Sequence, residues 1–467
     1  SEKVITMAQT GDWDTFMPMN TTNSGADNVI ELMFDRLMVI NTDGTFEPRL
    51  ADSWETNEAQ DKITYHLNEN AKWQDGEPVT AEDVVYSAQV ASSSEFNYLR
   101  RIRMQYFAGT DETGCETSTD SIEVAALDDH TVEFTLKAPM DPAIIYALVN
   151  RDFFIMPKHL LDSISDADLV NDAFWQKPIG SGPCIFDSME SGVSIEFKAN
   201  KDYYLKTPQW DRFVVKVVAT PSLLSGLMND EIDILAGNVA SLQLSDWDMA
   251  QQQQNLTCVS TESVGYQYMA INTEKDYLPP KVRQAIDMAI NRDAIVSGLL
   301  KGEGEPAFGP FATSHKYYDD VVNVGYNPEK AKELLAEAGW DGSHELVFSV
   351  PTGNSIREQA AVIIQQNLQE IGIKTKIESA DFATHLTKVR EGNYDLGLIG
   401  SGGSPDPSEC VINFKPDHIN NFSHLSDWTI YNTGAEGEHA FNFEDRKVNY
   451  DNYQELLVEQ VPFCFLY

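Results

Sequence analysis

The chain has 467 residues, more than one hydrophobic core usually serves, so two or three domains are expected. Its 73 acidic residues against 33 basic ones give a net charge of −40, a field that repels nucleic acid and anionic lipid and argues against both as partners. No stretch approaches the roughly 20 consecutive apolar residues of a membrane span. The acidic surplus itself is read as a solvated surface, ahead of a preference for cationic ligands.

The chain opens at Ser1 on polar residues with no basic and apolar leader, so a signal segment is expected to have been removed or to lie outside this sequence. Cys115, Cys184, Cys258, Cys410 and Cys464 are scattered, with no C-x-x-C spacing. The odd count leaves at least one thiol free, and the scatter reads as small buried hydrophobes rather than a disulfide framework or a zinc site.

In chain order, Ile63, Tyr65 and Leu67 alternate with polar residues as in a half-buried strand, and Asp75-Gly76 then turns the chain. Thr80 with Asp83 opens a helix in capping-box fashion, and Val84, Val85 and Ala88 give that helix an apolar side. Strands are expected at 122–126 and 132–136 and helical pieces at 143–149 and 158–164, which makes 45–170 an α+β region. Strand, helix and strand follow at 213–218, 221–228 and 232–235.

Val282, Ala285, Ile286, Ala289 and Ile290 form the stripe of an amphipathic helix. Asn327-Pro328 starts another, with Ala331, Leu334, Leu335 and Ala338 on its buried face and Gly339 ending it. The stretch 346–399 then reads strand, helix (355–371), strand (373–377), helix (381–390), strand (394–399). Right-handed crossovers would make its strands parallel.

Enzyme signatures are missing. There is no G-x-x-x-x-G-K-[ST] phosphate loop, no H-E-x-x-H helix and no G-x-S-x-G elbow, and Gly302, Gly304 and Gly309 miss the dinucleotide spacing. His315, His418, His424 and His439 are each read as surface or hydrogen-bonded residues. No catalytic residue, metal ligand or cofactor is therefore expected. The segment with most promise is 400–407, GSGGSPDP, directly after the last strand of the crossover series. Ligands of α/β sheets bind at the carboxyl ends of parallel strands, and glycines let them approach the backbone; a flexible connector is the alternative.

The wording of several segments carries a resemblance. KWQDGEPVTAEDV (72–84), PRLADSW (48–54), 32–41, IGSGP (179–183), NKDYYLKTP (200–208), GYQYMAIN (265–272), VRQAIDMAINR (282–292), YDLGLIG (394–400) and QVPFCFLY (460–467) resemble, in family order, the family 5 extracellular solute-binding proteins, receptors of peptide and nickel ABC importers. The resemblance implies a type II periplasmic-binding-protein-like fold of two α/β lobes with a hinge and an extra inserted α+β domain. Lobe I would comprise 1–44 and 171–264, the insertion 45–170 and lobe II 265–467, with the family's return segment to lobe I expected beyond Tyr467.

It further implies a receptor outside the cytoplasm, lipid-anchored at the outer membrane face and monomeric. Such a receptor closes its lobes on a small solute and passes it to a membrane permease. A short peptide is the expected cargo, with an oligosaccharide or nickel chelate as alternatives. A secreted hydrolase and a signalling receptor are the rival roles.

Family positions that line the cleft fall on Asn20, Thr21, Thr22 and Ser24, on Tyr268, on Phe382, and on Gly400, Gly402, Ser404 and Asp406 of the 400–407 loop. A polar turn is the alternative for the first group and core packing for Tyr268. The chain departs from the peptide-binding pattern at three places. Ser404 stands where those relatives keep an aspartate for the peptide's α-ammonium, with Asp406 two residues later, and Ser401 and Phe382 replace tryptophans.

Overall fold

The computed structural model describes residues 2–21, 24–96, 98, 100–237 and 239–467. The chain divides into two compact units, Ser1–Ile40 with Phe46–Val259, and Asn41–Thr45 with Ser260–Tyr467.

In the first unit a five-stranded sheet runs in the order Ile234–Leu235, Val4–Gln9, Arg212–Val217, Ser194–Ala199, Cys184–Glu190. Val4–Gln9 pairs in parallel with both of its neighbours, and the last three strands are antiparallel. A separate four-stranded antiparallel sheet has the order Ala51–Thr56, Lys62–Leu67, Thr131–Thr135, Val124–Asp128. Along Lys62–Leu67 burial alternates residue by residue, as its period-two pattern predicts, with Ile63, Tyr65 and Leu67 inside. The helix read at 158–164 stops early, at Lys158–Leu161, because Ser165 caps a new helix, Asp166–Leu169, by accepting the Asp168 N–H. The piece read at 143–149 is a π-turn, Ile145–Val149, running into Asn150–Asp152.

The segments that carried the resemblance turn out to hold one another. Asp83, buried at the start of helix Ala81–Ser92, accepts the Thr80 N–H at 2.8 Å, the Trp73 Nε1–H at 3.2 Å and the Lys158 N–H at 2.9 Å. Three donors on one buried carboxylate supply the charge-assisted bonding that its burial requires. Next to it, Gln74 Nε2 donates to the carbonyls of Gly182 and Cys184, and its Oε1 accepts the Gly180 N–H. Gly180 is obligatory by space: a Cβ there would stand 1.9 Å from the Met33 carbonyl oxygen. Asp35 accepts the hydroxyls of Tyr203 (3.4 Å) and Tyr204 (3.1 Å), and burial pushes its carboxyl up to about 6 against those two bonds.

The second unit is built on one five-stranded sheet in the order Lys374–Ala380, Glu345–Pro351, Leu396–Ser401, Tyr266–Ile271, Phe463–Phe465. The first three strands are parallel, joined by the helices Ser355–Glu370 and Phe382–Arg390, so the expected β-α-β-α-β series is present. The last two strands are antiparallel additions. One side of this sheet packs on the helices Pro280–Ala289 and Ser355–Glu370 through Val282, Ile286, Ile364 and Leu368. On the other side Tyr266, Tyr268, Phe463 and Phe465 meet Tyr450 and Tyr453 of the helix Phe443–Gln460.

Candidate functional site

Because Glu345–Pro351, Lys374–Ala380 and Leu396–Ser401 run in parallel, their carboxyl ends fall at one edge of the second unit's sheet. The two crossover helices start at that edge, capped by Asn354, which accepts the Arg357 N–H at 3.0 Å, and by Asp381, which accepts the Thr384 N–H at 3.0 Å. Phe382, first residue of its helix, is 51% exposed there.

Gly400, next to last in its strand, sits where a Cβ would come within 2.5 Å of Gln267 Nε2 and 2.9 Å of an Arg357 Nη, so it is glycine because those two side chains close over it. Arg357 was not picked out from the sequence. Its Nε donates to Gln267 Oε1 at 2.9 Å, no carboxylate among the described residues pairs with it, and burial pushes its guanidinium below the usual value. A half-buried cation with a neutral partner at the carboxyl ends of parallel strands is a ready receiver for a ligand carboxylate.

The 400–407 loop has two halves. Ser401 and Gly402 border a cavity of about 670 Å³, walled also by 260–267, 303–313, Tyr318 and Tyr467, and nothing crowds the Gly402 Cα. From Gly403 the chain turns inward. Gly403 has φ +66°, and a Cβ on it would lie 1.7 Å from the Val264 carbonyl oxygen. Ser404 is buried, and its Oγ accepts the Asp406 N–H at 3.2 Å.

Asp406 is only 3% exposed. It accepts the Ser408 hydroxyl at 2.5 Å and an Arg446 Nη2–H at 3.2 Å, from a guanidinium that is itself wholly buried. Arg446 also donates to Tyr317 OH at 3.1 Å and to the Gly437 carbonyl at 3.1 Å, and His315 Nε2 lies 2.9 Å from the Pro405 carbonyl. The Asp406 carboxylate is therefore already matched by a cation inside the unit, which leaves the duty of receiving a ligand ammonium to other groups. Glu438 stands by the same pair. Burial, with the Asp406 charge added and Arg446 opposing, pushes it up to about 7.

Tyr268 is 3% exposed and stacks on Phe463 at 4.2 Å between centroids, so of its two readings the structure places it in the core. Its strand neighbours Tyr266 and Gln267 are the ones that reach the cavity.

In the first unit the carboxyl end of Val4–Gln9 and the start of helix Ser24–Met33 bring the N-terminal candidates together. Buried Gln9 donates to the carbonyls of Gly11 and Gly25 and accepts from Asn28, which shapes the intervening turn. Thr21 is buried and donates to Asp14 at 2.8 Å. Asn20 is half-buried, Ser24 exposed, and Thr22 lies outside the described residues. Among the described residues no group of three or more His, Cys, Asp or Glu side chains is placed to hold a metal ion.

An α/β sheet with a glycine-bearing loop and a cavity of mixed aromatic and polar lining at its strand ends fits the binding of a small solute. Residues 45–421 match the family model of bacterial extracellular solute-binding proteins, family 5 (middle region), and the chain belongs to that family. The family is one of solute receptors rather than enzymes, which act outside the cytoplasm.

The chain is 26% identical to the oligopeptide-binding protein AppA of Bacillus subtilis, over 99% of this chain and 86% of that one. It is 28% identical to di/tripeptide-binding protein 1 of Pseudomonas aeruginosa, over 95% and 84%. Its fold is that of the ABC transporter substrate-binding protein CtaP of Listeria monocytogenes, with a TM-score of 0.88 at 22% identity over 100% and 92% of the two chains. This is the type II periplasmic-binding-protein-like fold. Among the described residues no helix is long and apolar enough to cross a membrane.

Proposed function

We propose that the chain is the receptor of an ABC importer that binds a short peptide, closes its lobes on it and delivers it to a membrane permease, with no covalent chemistry. The observation that carries this reading is kinship along nearly the whole chain, 99% and 95% of it, with two receptors named for oligopeptides and for di- and tripeptides. Arg357 supports it by offering a cation to a peptide carboxylate, and the open backbone at Gly402 by offering main-chain hydrogen bonds that ignore side-chain identity.

Lobe I is assigned 1–44 and 171–264, the inserted domain 45–170 and lobe II 265–467. The ligand-facing residues are Asn20 and Ser24 on lobe I and Phe382, Gly400 and Gly402 on lobe II, with Thr22 assigned to the site by family position alone and buried Thr21 shaping the turn through its bond to Asp14. Ser404, Asp406 and Tyr268 support lobe II from within. A lipid anchor at the outer membrane face completes the reading. Closure is a population shift, because a ligand that touches both lobes only when closed favours that state by its extra contacts.

The test is thermal unfolding of the protein with di- to hexapeptides, oligosaccharides and nickel chelates. A ligand at a hundred times its dissociation constant adds about 2.7 kcal/mol to the folded state. Peptides are expected to raise the Tm; a rise with sugars or chelates and none with peptides would overturn the assignment.

A further inference from the structure

Gln267 lies in the strand Tyr266–Ile271 with its backbone fully committed to the sheet: its N–H donates to the Tyr467 carbonyl at 2.7 Å, and its carbonyl accepts the Leu466 N–H at 2.9 Å. Directly opposite it in the antiparallel pairing stands Gly400. Opposed residues point to the same face of a sheet, and Gly400 has no side chain, so that of Gln267 lies across its α-carbon and reaches Arg357 in the first turn of helix Ser355–Glu370. A Cβ on Gly400 would meet Gln267 Nε2 at 2.5 Å and Oε1 at 2.9 Å. The glycine thus opens the path for a bridge that passes over one strand to the helix of the next.

The direction of that bond decides which edges of both partners are left for a ligand. A guanidinium only donates, so the oxygen of the Gln267 amide faces it and the NH2 faces away. Among the described residues no acceptor takes an N–H of that Nε2. On Arg357 the Nε is spent, which leaves the two Nη groups as an end-on fork, a shape that matches both oxygens of a carboxylate. An Arg357 Nη and Gln267 Nε2 lie 2.9 and 2.5 Å from one point above Gly400, so the two sets of free donors converge.

The acids around this pair are engaged elsewhere. Glu358 accepts the Gly353 N–H at 2.9 Å, Glu262 the Ser314 hydroxyl and Glu305 the Thr313 hydroxyl, and none of them pairs with Arg357. A chain of net charge −40 repels an anion at long range, so capture of one falls to the local donors.

We propose that Gln267 is a positioning residue that sets the specificity of Arg357: it holds the guanidinium end-on, adds its own Nε2–H beside it, and so makes the site select ligands that end in a carboxylate. The proposal rests on the reading of Arg357 as the receiver of a peptide carboxylate and adds the residue that acts through it.

The experiment is calorimetric titration with alanine tripeptide and pentapeptide, each as the free acid and as the carboxyl-terminal amide, on the wild type and on Gln267→Met, Gln267→Leu and Gln267→Glu, with the Tm of each measured alongside. Methionine and leucine remove the acceptor, whereas glutamate keeps it and neutralises the cation. The wild type is expected to prefer acid over amide by about tenfold, the two apolar variants by about threefold and the glutamate variant not at all, with the amides changing little.

Equal losses for acid and amide would assign Gln267 to the fold alone, and a full preference kept by either apolar variant would show that Arg357 needs no partner. Each result, like a wild type without acid preference, overturns the proposal and leaves the peptide reading standing. If no peptide binds, the peptide reading fails, and the pair is tested with N-acetylalanine on the Arg357 Nε–H magnetic resonance, identified by its loss in Arg357→Met. A shift in the wild type that is absent from Gln267→Glu and reduced in Gln267→Met would sustain the pair as a carboxylate site, and no shift, or one that Gln267→Met keeps in full, would overturn it.

Discussion

Replacing Arg446 with methionine tests the claim that the inner half of the 400–407 loop is held by a buried ion pair. Methionine keeps much of the arginine stem's volume and removes the guanidinium, so the change reads charge and hydrogen bonding more than packing. The guanidinium is wholly buried and its carboxylate partner 3% exposed, so the variant strands Asp406 in the interior with only the Ser408 N–H and hydroxyl for company. Breaking a buried pair from one side costs about 3–5 kcal/mol, because the remaining charge has lost its counter-ion without regaining water.

The bonds to Tyr317 OH and the Gly437 carbonyl are lost as well, and because both groups stay buried this pushes the loss toward the upper end of that range. For a unit of some two hundred residues each kcal/mol moves the Tm by roughly 2–4 °C, so a fall of about 10 °C is expected for the second unit's transition in scanning calorimetry. Adding Asp406→Asn to the Arg446→Met variant should recover about 2 kcal/mol or more, since asparagine keeps an acceptor for Ser408 and carries no charge to desolvate. A loss under about 1 kcal/mol in the single variant, or no recovery in the double, would refute the reasoning and return Asp406 to the ligand.

Three further outcomes are expected. Asp35 has a folded-state pKa of about 6 against an ordinary 3.8, so its contribution to stability is complete below about 4 and is lost as pH rises through 6, by roughly 3 kcal/mol. Denaturant unfolding of Asp35→Asn beside the wild type between pH 4 and 7.5 should show the variant gaining relative stability with pH, and a constant difference would count against it. Gly403→Ala, at φ +66° and facing the Val264 carbonyl at 1.7 Å, should cost about 2 kcal/mol or more and weaken ligand binding, whereas Gly402→Ala, with open space around it, should leave the Tm unchanged in the same scans. Arg357→Met should weaken peptides with a free carboxyl terminus by about tenfold or more and affect their amides little, as measured by calorimetric titration. Equal losses for acid and amide would show that Arg357 supports the fold instead.

What the sequence could reveal follows the range over which each signal acts. The crossover series of the second unit was legible because its evidence is local: alternation in the strands, the Asn354 and Asp381 caps, and glycines such as Gly372 and Gly392 with positive φ at the helix ends. The signature segments of the first unit were legible as a pattern but not as a mechanism. Nothing local says that Trp73 and Lys158 share the Asp83 carboxylate, or that Gly180 is small because Met33 passes behind it.

Arg446 sits in the polar run FEDRKVNY, which reads as a solvated helix face, and its partner lies forty residues earlier in a loop. Tyr268 was ambiguous for a different reason: its sheet is covered on both faces, one taking Met269 and Ile271 into a core and the other Tyr266, Tyr268 and Ala270, so neither face of its strand is the wet one that alternation needs as a reference.

These failures share a consequence for the site. The loop after the last parallel strand is marked in the sequence by its glycines, yet the charge expected to act there points inward to Arg446. In this chain, then, the scaffold is readable from local pattern, but the electrostatics that would choose the ligand are set by pairings across the fold, and it is those pairings that the Arg446 and Arg357 variants interrogate.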